Sequence, residues 1–324
     1  MDPEPPCSGF FRPALEDTVG CLDAFQASGP LQWVLGNILE AFHSLFRALS
    51  DPAAWLDWSE PLAVMRVVYY GGSVEFFFVV FTALVVLTGL GIWKRGIMWG
   101  TVIGLESVAN AVGRVAAWAG LLMVLQQIVI VFVQRVFAAS QIGLGFGTTV
   151  SFDISWWSEE LKLYNAMIVA LCVSYTFVQG GHVRVDLIYA AVSWRTKRVI
   201  DMVGSLIFMM PAAVLIWMYA WYFMWRHLIT PKPSASSTLE RLELQARAFR
   251  WNAQPIGFSP NGFNAYFLFK VLLVLFAGLV FLQAVAVFYR AWLECVEGPE
   301  SEDKHLDRDG HGSGESAEHV METH

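Results

Sequence analysis

The chain has 324 residues, is 56% hydrophobic and only 15% charged, and carries a formal net charge of −7, with a mean hydropathy of +0.50. A soluble domain carries about 25% charged residues, so this chain lacks the polar surface to cover a water-exposed fold of its size. That excludes a soluble enzyme and a disordered chain in favour of an integral membrane protein. The segment from Glu297 to His324 holds nine acids and two bases, which is the whole net charge, and the other 19 acids balance 19 bases. Without a basic face, no nucleic-acid partner is expected.

In chain order, residues 1–73 form an N-terminal extension. Within it Leu31, Val34, Leu35, Ile38, Leu39, Phe42, Leu45, Phe46 and Leu49 recur at helical spacing on one face, while Glu40 and Arg47 lie on the other. This pattern predicts an amphipathic helix over 31–49 that lies in the membrane interface and does not cross it. Pro30 suits its first turn, and Asp51-Pro52 ends it. Five charge-free runs are long enough to span a hydrocarbon core about 30 Å thick: Phe76–Trp93, Val115–Val133, Leu163–Gly181, Val203–Trp225 and Val271–Tyr289. Pro211 sits within the fourth and removes a helical donor. The segment 74–112 then comprises one span and a linker. Between the last two spans, Thr230 to Ser237 reads as a loop. Leu239, Leu242, Ala246 and Phe249 read as one face of a short interfacial helix, with Glu243 and Arg247 as an i,i+4 pair. Residues 293–324 are read as a disordered acidic tail. The expected class is an all-α integral membrane protein with about five transmembrane helices plus interfacial amphipathic helices.

Lys94 and Arg95 follow the first run, and Arg184, Arg195, Lys197 and Arg198 lie between the third and fourth. Since bases near span ends favour the cytoplasm, the N-terminal extension is expected outside and the acidic tail inside. None of the five runs contains an Asp, Glu, Lys, Arg or His, which argues against an ion or proton path through this chain. None of the seven histidines falls within a run, which disfavours an intramembrane haem. There is no phosphate-binding glycine motif and no catalytic constellation, so the chain is read as a non-enzyme without cofactor or metal.

From Gly113 onward the motifs come in a specific order. A span ends in QRVF with Arg135, WWSEEL follows at 156–161, and a further span ends in GGHVRVDLIY at 180–189. A basic WRTKR at 194–198 leads into the next span. Over residues 113–292 this resembles the small membrane subunit of tripartite ATP-independent periplasmic (TRAP) transporters, the DctQ-like family. The resemblance implies a four-helix membrane domain in a bacterial inner membrane. It also implies a large DctM-like membrane subunit and a periplasmic substrate-binding protein as partners, and ion-gradient-driven uptake of an organic acid. In such systems the substrate and sodium sites belong to the large subunit. The residues carried by the motifs are therefore structural or interface candidates: Arg135, Ser158, Glu159, Glu160, Gly180, Gly181, His182, Arg184 and Asp186. Local chemistry gives them roles: Ser158 as an N-cap with Glu159 and Glu160 in the first turn, Gly180 and Gly181 as a C-cap, and Arg135 snorkelling to head groups. The additional N-terminal residues and span depart from the family pattern. They motivate an alternative, a stand-alone membrane assembly or sensory protein.

Overall fold

The computed structural model describes residues 29–144, 150–180, 192–255, 262–302 and 304–307. The chain forms two compact units, Met1–Gly89 with Ile229–Trp251, and Leu90–Leu228 with Asn252–His324. The protein is an all-α multi-pass membrane protein. Five of its helices are long and apolar enough to cross a bilayer.

In the first unit, α1 runs Pro30–Ser50, one residue beyond the predicted helix at each end. Pro30 opens it, where a missing N–H costs nothing, and the Asp51 N–H closes it on the Arg47 carbonyl at 3.2 Å. Gly36 and Ala41 are buried, whereas Leu31, Leu35, Leu39, Phe42, Phe46 and Leu49 are 44–74% exposed. A stripe this apolar, left out of the unit's own core, is what a helix seated on lipid requires. A single turn, α2 (Ala53–Leu56), follows. Asp57 then accepts hydrogen bonds from the Ser59 hydroxyl and N–H, which hold its carboxyl below the ordinary range.

Helix α3 (Pro61–Tyr70) forms the core of this unit through Ala63, Val64, Met65 and Val68, none more than 1% exposed. Helix α4 (Val74–Trp93) is the first of the five apolar helices. Trp33 of α1 meets Phe78 of α4 edge-on at 5.6 Å between centroids. Strand β3 (Ile229–Thr230) pairs antiparallel with β4 (Arg250–Trp251). Between them, helix α9 (Leu239–Gln245) is capped by the Thr238 hydroxyl. Leu242 and Ala246 are buried, with α9 packed on α3. Glu243 reaches Arg66 of α3 at 3.0 Å in place of the expected Arg247, because burial of Leu242 turns that edge of α9 towards α3.

In the second unit, one helix, α5 (Arg95–Arg135), runs for 41 residues, about 61 Å at 1.5 Å per residue. The expected linker before Val115 is therefore helical. Lys94 alone separates α4 from α5, in an extended conformation. The buried residues of α5 form one stripe from Met98 through Val102, Glu106, Ala109, Gly113, Ala116 and Ala119 to Gln126 and Ile130. A short hairpin of β1 (Gln141–Leu144) and β2 (Val150–Asp153) leads into α6 (Ile154–Val178). The two helices cross closely where Gly113 meets Tyr175, whereas a Cβ added at Gly120 would meet Ile168 only at ordinary contact distance.

The fourth apolar run is α7 (Trp194–Val203), a π-helical stretch Gly204–Met209, and α8 (Met210–Leu228). The Met210 N–H bonds back to the Ser205 carbonyl. A proline ring clashes with the carbonyl four residues before it, and widening the turn ahead of Pro211 relieves that clash. Helix α10 (Phe267–Glu297) is the central element and the most buried of the five. Ala277, Ala284 and Ala286 are fully buried, and a Cβ added at Gly278 would lie 3.4 Å from the Trp217 ring, so small residues line these crossings.

Residues 293–302 and 304–307, read from composition as part of a disordered tail, pack on the helices. Helix α10 runs to Glu297, a 3-10 turn covers Pro299–Ser301, and Glu302 and Lys304 to Asp307 turn back onto the helix ends. A Cβ at position 113 would lie 2.3 Å from the Tyr175 Cβ, which neither backbone can relieve. We expect Gly113→Ala to lower stability by about 1–3 kcal/mol and Gly120→Ala to be near neutral, read as thermal unfolding midpoints in detergent. Equal midpoints for the two variants would contradict the close crossing.

Candidate functional site

Two polar clusters sit at opposite ends of the second unit. At the first, the hairpin delivers Asp153 as the N-cap of α6, and the Ile154 N–H is satisfied by the Ser140 carbonyl at 3.2 Å. The helix thus starts four residues before Ser158, which corrects the expected cap. The Ser158 hydroxyl instead bonds the Ile154 carbonyl at 3.0 Å inside the helix. Glu159 and Glu160 fall in the second turn rather than the first.

Glu159 is 9% exposed, and its carboxylate accepts the Phe263 N–H at 2.9 Å, fixing the approach to α10. Glu160 accepts from the Gln126 amide at 2.9 Å and the Tyr164 hydroxyl at 3.1 Å. Gln126 also donates to the Trp157 carbonyl at 3.1 Å, so the two acids tie α5, α6 and the start of α10 together. Arg135 is exposed in the last turn of α5, apart from these acids. Beside it an open cleft is lined by Gln134, Ala138, Ala139, Ser140, Ser155 and Ser158, neutral groups that offer hydrogen bonds but no nucleophile and base.

At the far end of α6, Gln179 is the C-cap and Gly180 adopts φ 72°, the left-handed position a glycine takes without strain. The capping expectation holds for Gly180. Gly181, His182, Arg184 and Asp186 lie outside the described residues.

The second cluster lies at this same end. Arg290 of α10 grips Glu106 of α5 with two guanidinium nitrogens at 2.7 and 2.5 Å, and its third reaches Glu294 at 3.6 Å. The side chains of Glu106 and Glu294 are 7% and 2% exposed. Arg198 of α7 meets Glu294 at 2.9 Å, Glu302 at 2.5 Å and Asp201 at 3.6 Å. Trp99 lies under Arg290 and Lys304, and its indole N–H donates to Glu297 at 3.0 Å. Asp307 closes the edge, with its carboxylate on Arg114 at 3.0 Å and its carbonyl accepting from Asn110 at 2.8 Å. Every member stands outside the charge-free runs. The arrangement pins three helices, α5, α7 and α10, to the chain at 299–302 and 304–307, and it does so by pairing buried charge, which is costly to leave alone.

Sequence reasoning missed this cluster because its members come from residues 99 to 307. The local signals were Arg290 and Glu294 at i,i+4 just past the fifth run and Arg198 and Asp201 at i,i+3 before the fourth. Among the described residues no group of three His, Cys, Asp or Glu side chains is gathered to hold a metal. No family model matches the chain, and neither a curated protein nor a solved structure matches it.

Arg290→Met leaves Glu106 buried without its partner, and we expect a loss of about 3–5 kcal/mol. Arg290→Met combined with Glu106→Met should recover most of it. Chemical denaturation of both variants in mild detergent measures this, and a double variant as weak as the single would show that the pair does not act as a unit.

Proposed function

We propose that this chain is the small membrane subunit of a TRAP transporter in a bacterial inner membrane. It braces a large DctM-like subunit during ion-gradient-driven uptake of an organic acid delivered by a periplasmic binding protein. The observation that carries the reading is the chemistry of the spanning runs. Their middles hold no Asp, Glu, Lys, Arg or His, while α5 keeps an apolar outward row of Val115, Trp118, Leu122, Leu125, Val129 and Phe132, each at least 43% exposed. Helices of this kind serve as a wall and leave the cargo to a companion chain. The WSEEL acids support the same reading, since Glu159 and Glu160 are engaged in holding the helices together.

A second reading, an assembly or sensory protein acting without a permease, draws on the N-terminal extension, which contributes to a compact unit of its own. Purification from mild detergent separates the two. We expect the chain to bring down a large multi-span partner, and deletion of its gene alone to abolish uptake of one organic acid. Intact uptake together with a chain that purifies alone would favour the second reading.

A further inference from the structure

The apolar run of α10, Val271–Tyr289, is 19 residues long, about 28 Å, close to the thickness of a hydrocarbon core. Two bases bracket it one residue beyond each end, Lys270 and Arg290. Both therefore stand at the depth of lipid phosphates, but they are treated differently. Arg290 is taken by Glu106 and Glu294. Lys270 pairs with no carboxylate among the described residues, and the sequence from Ile256 to Asn261 contains no acid.

Instead its ammonium sits over two rings, 4.1 Å from the Phe223 centroid and 4.5 Å from that of Tyr266. It donates to the Tyr266 hydroxyl at 3.1 Å. An ammonium has three N–H donors, and the hydroxyl uses one. The rings hold the group in place by cation–π attraction without neutralising it. His227, whose ring packs on Phe223 at 4.6 Å, and exposed Arg226 add no negative charge at this end of α8. From Phe223 an outward row continues one turn at a time toward the middle of the span. Phe223, Tyr219 and Leu215 are 42%, 80% and 59% exposed. Leu273, one turn along α10 from Lys270, is 39% exposed.

We propose that Lys270, seated on Phe223 and Tyr266, is the headgroup contact of a bound anionic glycerophospholipid whose acyl chains run along Phe223, Tyr219 and Leu215 of α8. The ammonium supplies the charge, the rings fix its position, and the exposed row supplies the apolar bed. A fixed cation at phosphate depth above an apolar track fits a lipid better than a soluble anion, which would gain nothing from the row below.

The test uses the full chain in mild detergent, with phosphatidylglycerol, phosphatidylcholine or inorganic phosphate added. Native mass spectrometry should show wild type retaining phosphatidylglycerol, with about fivefold less on Lys270→Gln, the loss expected for one cation at a lipid phosphate. Phosphatidylglycerol should raise the unfolding midpoint of wild type and of the control Lys232→Gln but not of Lys270→Gln. In phosphatidylcholine all three should unfold at the same temperature, which shows that the variant folds. Equal phosphatidylglycerol retention by Lys270→Gln and wild type would overturn the proposal. So would stabilisation by inorganic phosphate equal to that by the lipid.

Discussion

A charge buried at the end of a membrane helix must be paired where it stands, and in this protein that requirement is met by the grip of Arg290 on Glu106. The two residues lie 184 positions apart. Their bond therefore joins the longest helix of the bundle to its central one at a single level. Glu294 and Arg198 extend the pairing to the fourth run, and Glu302 extends it to the chain beyond α10. Hydrophobic contact within a bilayer gives little preference for one helix neighbour over another, because lipid tails are as apolar as leucine. The ionic end supplies the register that apolar faces do not. The small residues at the crossings, Gly113, Gly278 and the fully buried alanines of α10, then set how near the helices come.

The acids of the WSEEL motif do the corresponding work at the other end, by hydrogen bonds rather than ion pairs. Glu159 holds a backbone N–H, and Glu160 holds the amide of Gln126. Both give their charge to donors within the fold, so the polar content of this end is largely structural. Lys270 differs from them: it is held in place by aromatic faces and pairs with no carboxylate among the described residues.

Much of this architecture was legible in the residues. The five apolar runs correspond to the five long helices, since a run of that length has no stable alternative in lipid. The stripe from Leu31 to Leu49 placed α1 within a residue at each end. What escaped reading was non-local. Helix α3 carries a start signal, Pro61 after Glu60, but its value as a core depends on Leu242, which arrives from far along the chain. Pro211 announces a disturbance, yet only packing decides that the chain answers with a π stretch. Glu302, Lys304 and Asp307 look solvated because their partners, Arg198, Arg290 and Arg114, are remote in sequence. Ser158 has the chemistry of a cap, but the hairpin hands the chain over four residues earlier.

The length of α5 has a mechanical consequence. Membrane helices tilt by up to about 40°, and even at that angle a 30 Å core engages only about 26 residues of a helix rising 1.5 Å per residue. Of the 41 residues of α5, about fifteen must then stand clear of the hydrocarbon at any tilt within that range. Thinning or thickening the membrane changes which residues are immersed but never strands this rod. Helix α4, with 20 residues and about 30 Å of length, has no such surplus. Sensitivity to bilayer thickness therefore falls on α4.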